Sequence, residues 1–184
     1  MYPWLRLARV TFASTPERKL GVLDPALIRM RAWPNDLDFN LHVNNGRYLT
    51  LADMARMDWF KQVGALDFAR KEKAFPVIGD AIAKFRREIR PFQSFEIETR
   101  LLAWDQKWSF MQHRFLRAGR AVGVVAIRGL FVGPEGPIAP GIFLSHFGYS
   151  DPSPPLPAWT SSFLDAADAM SVQLRADEEA RGVL

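Results

Sequence analysis

The chain has 184 residues, of which 48% are hydrophobic and 24% charged, and its formal net charge is +4. These proportions are ordinary for a globular domain and exclude a disordered, collagen-like or low-complexity chain. Cysteine is absent, which excludes disulfides, thiolate metal sites and a cysteine nucleophile. The positive charge alone does not distinguish a nucleic-acid partner from a phosphate-bearing small molecule or from simple solubility.

The N-terminal segment lacks the pattern of a targeting or membrane-spanning sequence. Arg6 and Arg9 interrupt its apolar run well short of a signal-peptide core, and the chain contains no apolar run of about 20 residues. We therefore expect a cytoplasmic protein without a transmembrane segment. Because Trp4 and Val10 are interspersed with these arginines, the segment is either docked on the body of the protein or a helix lying on a membrane surface.

A strand, a polar loop and a helix follow. Residues 25–33 alternate apolar and basic side chains, which predicts a half-buried strand. Asn44 or Asn45 is suited to cap a helix, and the apolar residues that follow lie nearly all round the helix as far as Gly64. This pattern predicts a buried helix. Residues 66–74 are rich in charge and predict a connector.

The remainder predicts four strands and a terminal helix. The strands are expected at residues 77–89, 94–104, 107–117 and 121–132, with a hairpin turn at 118–120. The last of them is almost wholly apolar and should lie inside the sheet. Glycine and proline predict a loop over 133–141 and a stiff linker over 150–157. Beyond the linker, apolar residues recur at helical spacing: Trp159, Phe163, Ala167, Met170 and Leu174.

This order of elements predicts an α+β domain in which an antiparallel sheet of about five strands curls round one long central helix. We expect an N-terminal segment at 1–24, the domain itself at 25–149, and a proline-rich linker with a C-terminal helix packed on the same domain at 150–184. Since no glycine-rich phosphate loop is present, a dinucleotide-binding fold is unsupported.

The segment DLDFNLHVNNGRYL, residues 36–49, resembles the signature of hotdog-fold thioesterases, both the plant-type acyl carrier protein enzymes and the hydroxybenzoyl-CoA group. KFRREIRPF, residues 84–92, is similar to a second block of the plant-type enzymes, and RLLAWDQKWSFMQHRFL to the thioesterase-superfamily-member-six proteins. The resemblance covers about residues 25–132. It implies a hotdog fold, hydrolysis of acyl-CoA or acyl-ACP in fatty acid metabolism, a homodimer or higher oligomer with sites at the subunit interface, and no metal or organic cofactor.

The resemblance also implies a catalytic set of Asp38, Asn40, His42 and Glu88. Asp38 is expected as general base or nucleophile, because thioester hydrolysis needs an activated oxygen and the chain has no cysteine. The alternative is an aspartate that shapes the loop. His42 would orient water or protonate the leaving thiolate, and Asn40 would polarise the carbonyl or position water. Some relatives have a Glu that matches Asp53, so the leading carboxylate stays open.

Substrate binding is expected from the helix start and from a basic stretch. Backbone amides at Asn45 and Gly46 lie at the positive end of the helix dipole, where an oxyanion is stabilised. The phosphates of coenzyme A or an acidic carrier protein would meet four cations, unless these simply face solvent: Lys84, Arg86, Arg87 and Arg90. Arg56 and Asp53, one helical turn apart, are expected to form a structural pair.

Two other functions compete with thioester hydrolysis. A non-catalytic hotdog protein would bind acyl groups or partners without turnover. A hotdog hydratase carries an Asp-x-Asn-Pro-x-His motif, but here the proline is missing and the histidine comes one residue early. Nucleic-acid binding rests on net charge alone, and no partner of that class is expected.

Overall fold

The computed structural model describes residues 3–12 and 20–183. Residues 1–2 and 13–19 of the expected N-terminal segment lie outside that description. The helices are α1 (Trp4–Phe12), α2 (Asn45–Val63), α3 (Ala65–Lys71), α4 (Pro140–Ser145) and α5 (Thr160–Ala180). The strands are β1 (Ala26–Arg31), β2 (Phe75–Phe85), β3 (Ser94–Trp104), β4 (Ser109–Arg117), β5 (Arg120–Gly133) and β6 (Gly136–Ile138). A 3-10 turn, Pro34–Asp36, precedes α2.

The described strands form one antiparallel sheet in the order β1-β3-β4-β5-β2, with β6 added to β5. β3 shows why the register is fixed. Its alternate residues Phe95, Ile97, Thr99 and Leu101 are buried on one face, so a slip by one residue would turn this whole set to the opposite face. β1 and β2 are the two edge strands, and β5, the most apolar strand, lies between β4 and β2 as predicted.

The long helix α2 is packed against β1, β3, β4 and β5. Leu51, Met54, Ala55 and Trp59 are essentially inaccessible to solvent, which confirms the predicted buried helix. The helix ends at Gly64, whose φ of 86° is left-handed, a conformation that glycine adopts without steric cost. The expected arrangement of a sheet round a central helix is therefore confirmed.

Three local predictions are wrong. The connector expected at 66–74 contains α3, because Ala65 and Phe68 lie three residues apart and are both buried. The loop expected at 133–141 contains β6 and the start of α4, where Pro140 occupies a first-turn position that needs no amide donor. The strand expected over 77–89 is shifted to Phe75–Phe85, so Glu88 is not on a strand.

The last difference has a definite cause. The amides of Arg86 and Arg87 both donate to the carbonyl of Val122, at 2.9 and 3.0 Å. Two consecutive donors on one acceptor end the regular ladder, and the chain turns away from β5. Ile89 then becomes fully buried, and this turn carries the chain toward the loop ahead of α2.

The chain divides into two compact units, Met1–Ser153 and Pro154–Leu184. The second unit contains residues without regular structure up to Pro157, in agreement with the predicted linker, and then α5. α5 runs through the acidic residues 177–179, as the helical spacing predicted. The packing of this helix on the domain stays a prediction.

Candidate active site

The polar loop ahead of α2 is a tight hairpin. Leu37 and Val43 form an isolated antiparallel bridge, and the amide of Asp38 donates to the carbonyl of His42 at 3.0 Å. At the tip, Leu41 adopts a φ of 58°, a left-handed conformation that costs a non-glycine residue roughly 1 kcal/mol. The hairpin therefore holds its five central residues in one defined geometry.

Asp38 and His42 face each other within this hairpin. Asp38 Oδ1 lies 3.5 Å from His42 Nδ1, and the two side chains are 14% and 32% exposed. Asp38 Oδ1 also accepts the backbone amide of Asn40 at 2.9 Å. Asp38 thus forms the aspartate turn that was the alternative interpretation, yet it is also shielded and directed at a histidine. Both contacts are made by the same carboxylate oxygen.

The start of α2 supplies backbone donors next to this pair. Asn44 is the N-cap, and its Oδ1 accepts the amide of Gly46 at 2.9 Å. The amide of Arg47 donates to the carbonyl of Asn44 at 2.8 Å. Of these first amides, that of Asn45 has no acceptor among the described residues. Asn45 therefore has the available donor, whereas Gly46 can offer its own only if Asn44 turns away.

Tyr48 fixes the first turn of α2 against the sheet. Its ring packs against Phe85 of β2 and Phe115 of β4, with centroids 4.9 and 4.7 Å away. Burial raises the pKa of Tyr48 to about 12. Aromatic packing of Tyr48 against the sheet thus fixes the start of α2, which follows the polar loop.

Asp36, which the sequence analysis assigned no role, secures the base of the hairpin. Its carboxylate is fully buried, pairs with Arg6 of α1 at 2.8 Å, and accepts the amide of Trp33 at 2.9 Å. Its carbonyl accepts the amide of Asn44, also at 2.9 Å. Asp36 therefore joins α1, the end of β1 and the cap of α2. No short-range pattern signals this, because Arg6 lies 30 residues away.

The backbone next to Glu88 is hydrogen-bonded to the hairpin, whereas the side chain of Glu88 is paired elsewhere. The carbonyl of the next residue, Ile89, accepts the amide of Val43 at 2.9 Å. The carboxylate of Glu88 is exposed and pairs with Arg90 at 2.6 Å. The structure thus brings Asp38 and His42 together and leaves the Glu88 side chain directed at a neighbouring cation.

The four cations of the predicted phosphate-binding stretch are all exposed: Lys84, Arg86, Arg87 and Arg90. They follow one another at the end of β2 and in the segment that returns to the hairpin. Positive charge is therefore concentrated beside the loop, where it is accessible to a phosphate group.

A second polar group lies inside the core. Arg56 pairs with Asp53 at 2.5 Å, which confirms the predicted structural pair. The Arg56 guanidinium also approaches His113 Nε2 at 3.5 Å, and His113 Nδ1 lies 3.0 Å from the hydroxyl of Thr99. Burial, and then the charge of Arg56, holds the pKa of His113 well below 6.5. His113 cannot be singled out from the sequence, because nothing local distinguishes it on its strand.

A cavity of about 30 Å³ adjoins this buried network and reaches the first residues of β2. This volume has room for about two water molecules, which is too little for an acyl chain. Among residues 3–12 and 20–183, no group of three or more His, Asp or Glu side chains is placed to hold a metal ion. The polar hairpin is therefore the candidate active site.

A family model described as the thioesterase-like superfamily matches residues 32–164. The chain belongs to this superfamily. The match begins at the end of β1 and includes the hairpin, α2 and the whole of the sheet from β2 to β6.

Curated proteins are also similar to part of the chain. Protein THEM6 of Xenopus laevis is 40% identical over 83 residues, which are 45% of this chain and 40% of that protein. Thioesterase poxG of Penicillium oxalicum is 31% identical over 100 residues, which are 47% of this chain and 33% of that protein. The chain thus spans about half or less of the length of the curated relatives it matches.

Solved structures confirm the hotdog fold for this member of the superfamily. A probable thioesterase of Escherichia coli, YbaW, has a TM-score of 0.61 at 19% identity, covering 66% of this chain and 94% of that one. A gentisyl-coenzyme A thioesterase has a TM-score of 0.57 at 18% identity, covering 67% and 100%. At these identities the similarity establishes the fold alone.

Proposed function

We propose that this chain hydrolyses an acyl thioester of coenzyme A or acyl carrier protein, using water activated by Asp38. The main support for this proposal is the position of the Asp38 carboxylate. It is shielded from solvent, lies opposite His42 and precedes the N-terminus of α2. Membership of the thioesterase-like superfamily supports the reaction class.

The steps follow from the chemistry of these groups. Asp38 accepts a proton from water as the water oxygen bonds to the thioester carbonyl carbon. The oxyanion that forms is stabilised by the amide of Asn45 and the positive end of the α2 dipole. Collapse of this intermediate breaks the carbon–sulfur bond, and the departing thiolate takes up the proton. His42 keeps Asp38 oriented, and Asn40 holds the carboxylate through its backbone amide.

The exposed edge of β2 supports a homodimer. Four of its large apolar side chains are exposed in the single chain: Phe75, Ile78, Ile82 and Phe85. An edge strand with apolar side chains is a template for pairing with another strand. A two-fold pairing of β2 with its counterpart extends the sheet and places the basic end of one strand beside the start of the other. The acyl chain would then lie in the crevice between the protomers, and the cations would meet the carrier phosphates.

Thiol release from a panel of acyl-CoAs and acyl-ACPs tests the reaction. Asp38→Asn should lower kcat by about 10²- to 10⁴-fold, the usual contribution of a general base, and the protein should stay folded. Asp67→Asn, an exposed acid on α3, is the matched control and should be fully active. A folded protein that releases no thiol, or one in which Asp38→Asn is as active as wild type, would contradict the proposal. An acyl-CoA that binds and stays intact would favour the non-catalytic alternative.

A comparison of two substrates tests whether the basic stretch at residues 84–90 binds phosphate. Arg86→Gln with Arg87→Gln should raise KM for an acyl-CoA. It should leave KM unchanged for the same acyl group on N-acetylcysteamine, which carries no phosphate. Arg117→Gln with Arg120→Gln, an exposed pair flanking the β4–β5 turn, controls for net charge. An equal effect of the Arg86 and Arg87 changes on both substrates would remove the phosphate assignment and leave the hydrolysis intact.

A further inference from the structure

The outer side of α1 is apolar and exposed. A helical period places Trp4, Leu5 and Phe12 on one side of this helix, and they are 67%, 90% and 86% exposed. The opposite side holds Leu7, which packs against the core, and the buried Val10. Three large apolar side chains on one exposed side of a nine-residue helix are unusual enough to require an explanation.

The attachments of α1 fix this orientation. Arg6 donates to the buried carboxylate of Asp36 at 2.8 Å and to the carbonyl of Arg31 at 3.1 Å. Near the other end, Lys61 of α2 donates to the carbonyl of Val10 at 2.8 Å. Rotating α1 to bury its apolar side would break these bonds and leave Asp36 without its cation. The body of the protein therefore holds the apolar side outward.

The surroundings of this side are cationic. Arg9 is exposed on α1 itself, and Arg31 is exposed at the end of β1. Both line a groove of about 1080 Å³ between α1 and β1, together with Trp4 and Trp33. An apolar strip with tryptophan, bordered by arginines, matches the interfacial layer of a bilayer with anionic headgroups.

We propose that α1 attaches this protein to the surface of an anionic lipid bilayer, with Leu5 and Phe12 inserted below the headgroups and Arg9 and Arg31 at the phosphates. A second copy of this chain fits the surface less well, since a two-fold contact would bring Arg9 and Arg31 of both copies into one interface. None of the helices in the described part of the chain combines the length and apolar character needed to cross a membrane. The attachment does not depend on the proposed hydrolysis.

Flotation with vesicles tests the attachment. The full-length protein should float with vesicles of phosphatidylcholine containing about one-third phosphatidylglycerol, and less with phosphatidylcholine alone or at high salt. Leu5→Ser with Phe12→Ser should lower binding at least about tenfold, because two inserted side chains are lost. Arg9→Gln should lower binding about fivefold, the usual effect of one cation near an anionic surface.

The matched control lies on α5. Val172→Ser with Leu174→Ser removes two exposed apolar side chains from α5 and should leave flotation unchanged. Circular dichroism and the thermal midpoint establish that each variant is folded. Absence of flotation with anionic vesicles, or equal flotation of the Leu5 and Phe12 variant, would overturn the proposal. The proposal would also be overturned if wild type did not bind vesicles and light scattering showed it to be an oligomer that the Leu5 and Phe12 changes dissociate.

Discussion

The guanidinium of Arg6 and the carboxylate of Asp36 form an ion pair almost closed off from solvent, with 14% and 0% of the two side chains exposed and 2.8 Å between Nη2 and Oδ2. It is the link between the N-terminal helix and the hairpin that carries Asp38. Its atoms come from residues 30 positions apart, and we expect this contact to couple the stability of the first helix to that of the proposed catalytic loop.

Breaking this pair from one side should be costly. Arg6→Met leaves the buried Asp36 carboxylate without its cation, and we expect the free energy of unfolding to fall by about 3 kcal/mol. Urea denaturation measures the change. Arg6→Met with Asp36→Asn removes the charge as well and should recover part of the loss, since the amide oxygen can still accept from Trp33. A double variant no more stable than the single one would contradict the coupling.

The pH dependence of stability should report His113. Its pKa is held well below 6.5 in the folded protein, chiefly by burial, whereas the unfolded chain titrates near the ordinary value. The unfolded state binds the proton more readily than the folded state. The contribution of His113 to the free energy of unfolding is therefore constant above about pH 6.5, where the ring is neutral in both states. Stability should then fall as the pH drops further, by up to about 1.4 kcal/mol per unit.

The check is urea denaturation of wild type and His113→Gln from about pH 8 to about pH 5. The variant will be less stable throughout, because the Arg56 and Thr99 partners lose the ring. Its stability should nonetheless decline less steeply below pH 6.5, since glutamine does not titrate. Parallel curves for the two proteins would show that His113 is not the group responsible.

Gly123 tests the clamp on the first turn of α2. A Cβ at this position would lie 2.8 Å from Tyr48 Cε1, so Gly123→Ala must displace the ring packed between Phe85 and Phe115. We expect a loss of about 1–3 kcal/mol in stability, together with a lower kcat from the disturbed helix start. Thermal unfolding and a thiol-release assay measure both.

The control for this change is Gly141→Ala. A Cβ at that glycine of α4 meets nothing within 4 Å, so stability and activity should match wild type. An unchanged Gly123→Ala protein would show that the ring moves aside without cost.

Ile82→Lys tests the edge of β2. The side chain is already 41% exposed in the single chain, so the protomer should fold normally, but each protomer would bring a lysine charge into the proposed paired edge. We expect a monomer by light scattering. Leu27→Lys, on the edge strand β1 at the other side of the sheet, should leave the mass unchanged. If the β1 change and not the β2 change dissociates the protein, the proposed interface is wrong.

The parts of the fold that can be predicted are those determined by residues close together in the sequence. The alternation from Ser94 to Trp104 gave β3 its observed limits, and the cap at Asn44 with Gly64 gave those of α2. In both cases the signal lies within one element, because burial of one face sets the period. The hairpin residues Asp38 and His42 were found because they lie in one short motif.

The parts that were missed depend on contacts between distant residues. β2 ends early because two amides meet Val122, some 35 positions on. Asp36 depends on Arg6, and His113 on Arg56, which lies 57 positions away. Helix α3 was not predicted because its segment is rich in charge, and its buried residues are only Ala65 and Phe68. Patterns along the chain carry no information on such pairings.

The bond from Val43 to Ile89 ties the hairpin to the segment that leaves β2. If β2 pairs with its counterpart, the same strand that joins two protomers also positions the proposed catalytic loop. Self-association and the ordering of the loop are then linked equilibria. Specific activity should rise with enzyme concentration and level off once dissociation is suppressed, so dilution alone would act as an inhibitor.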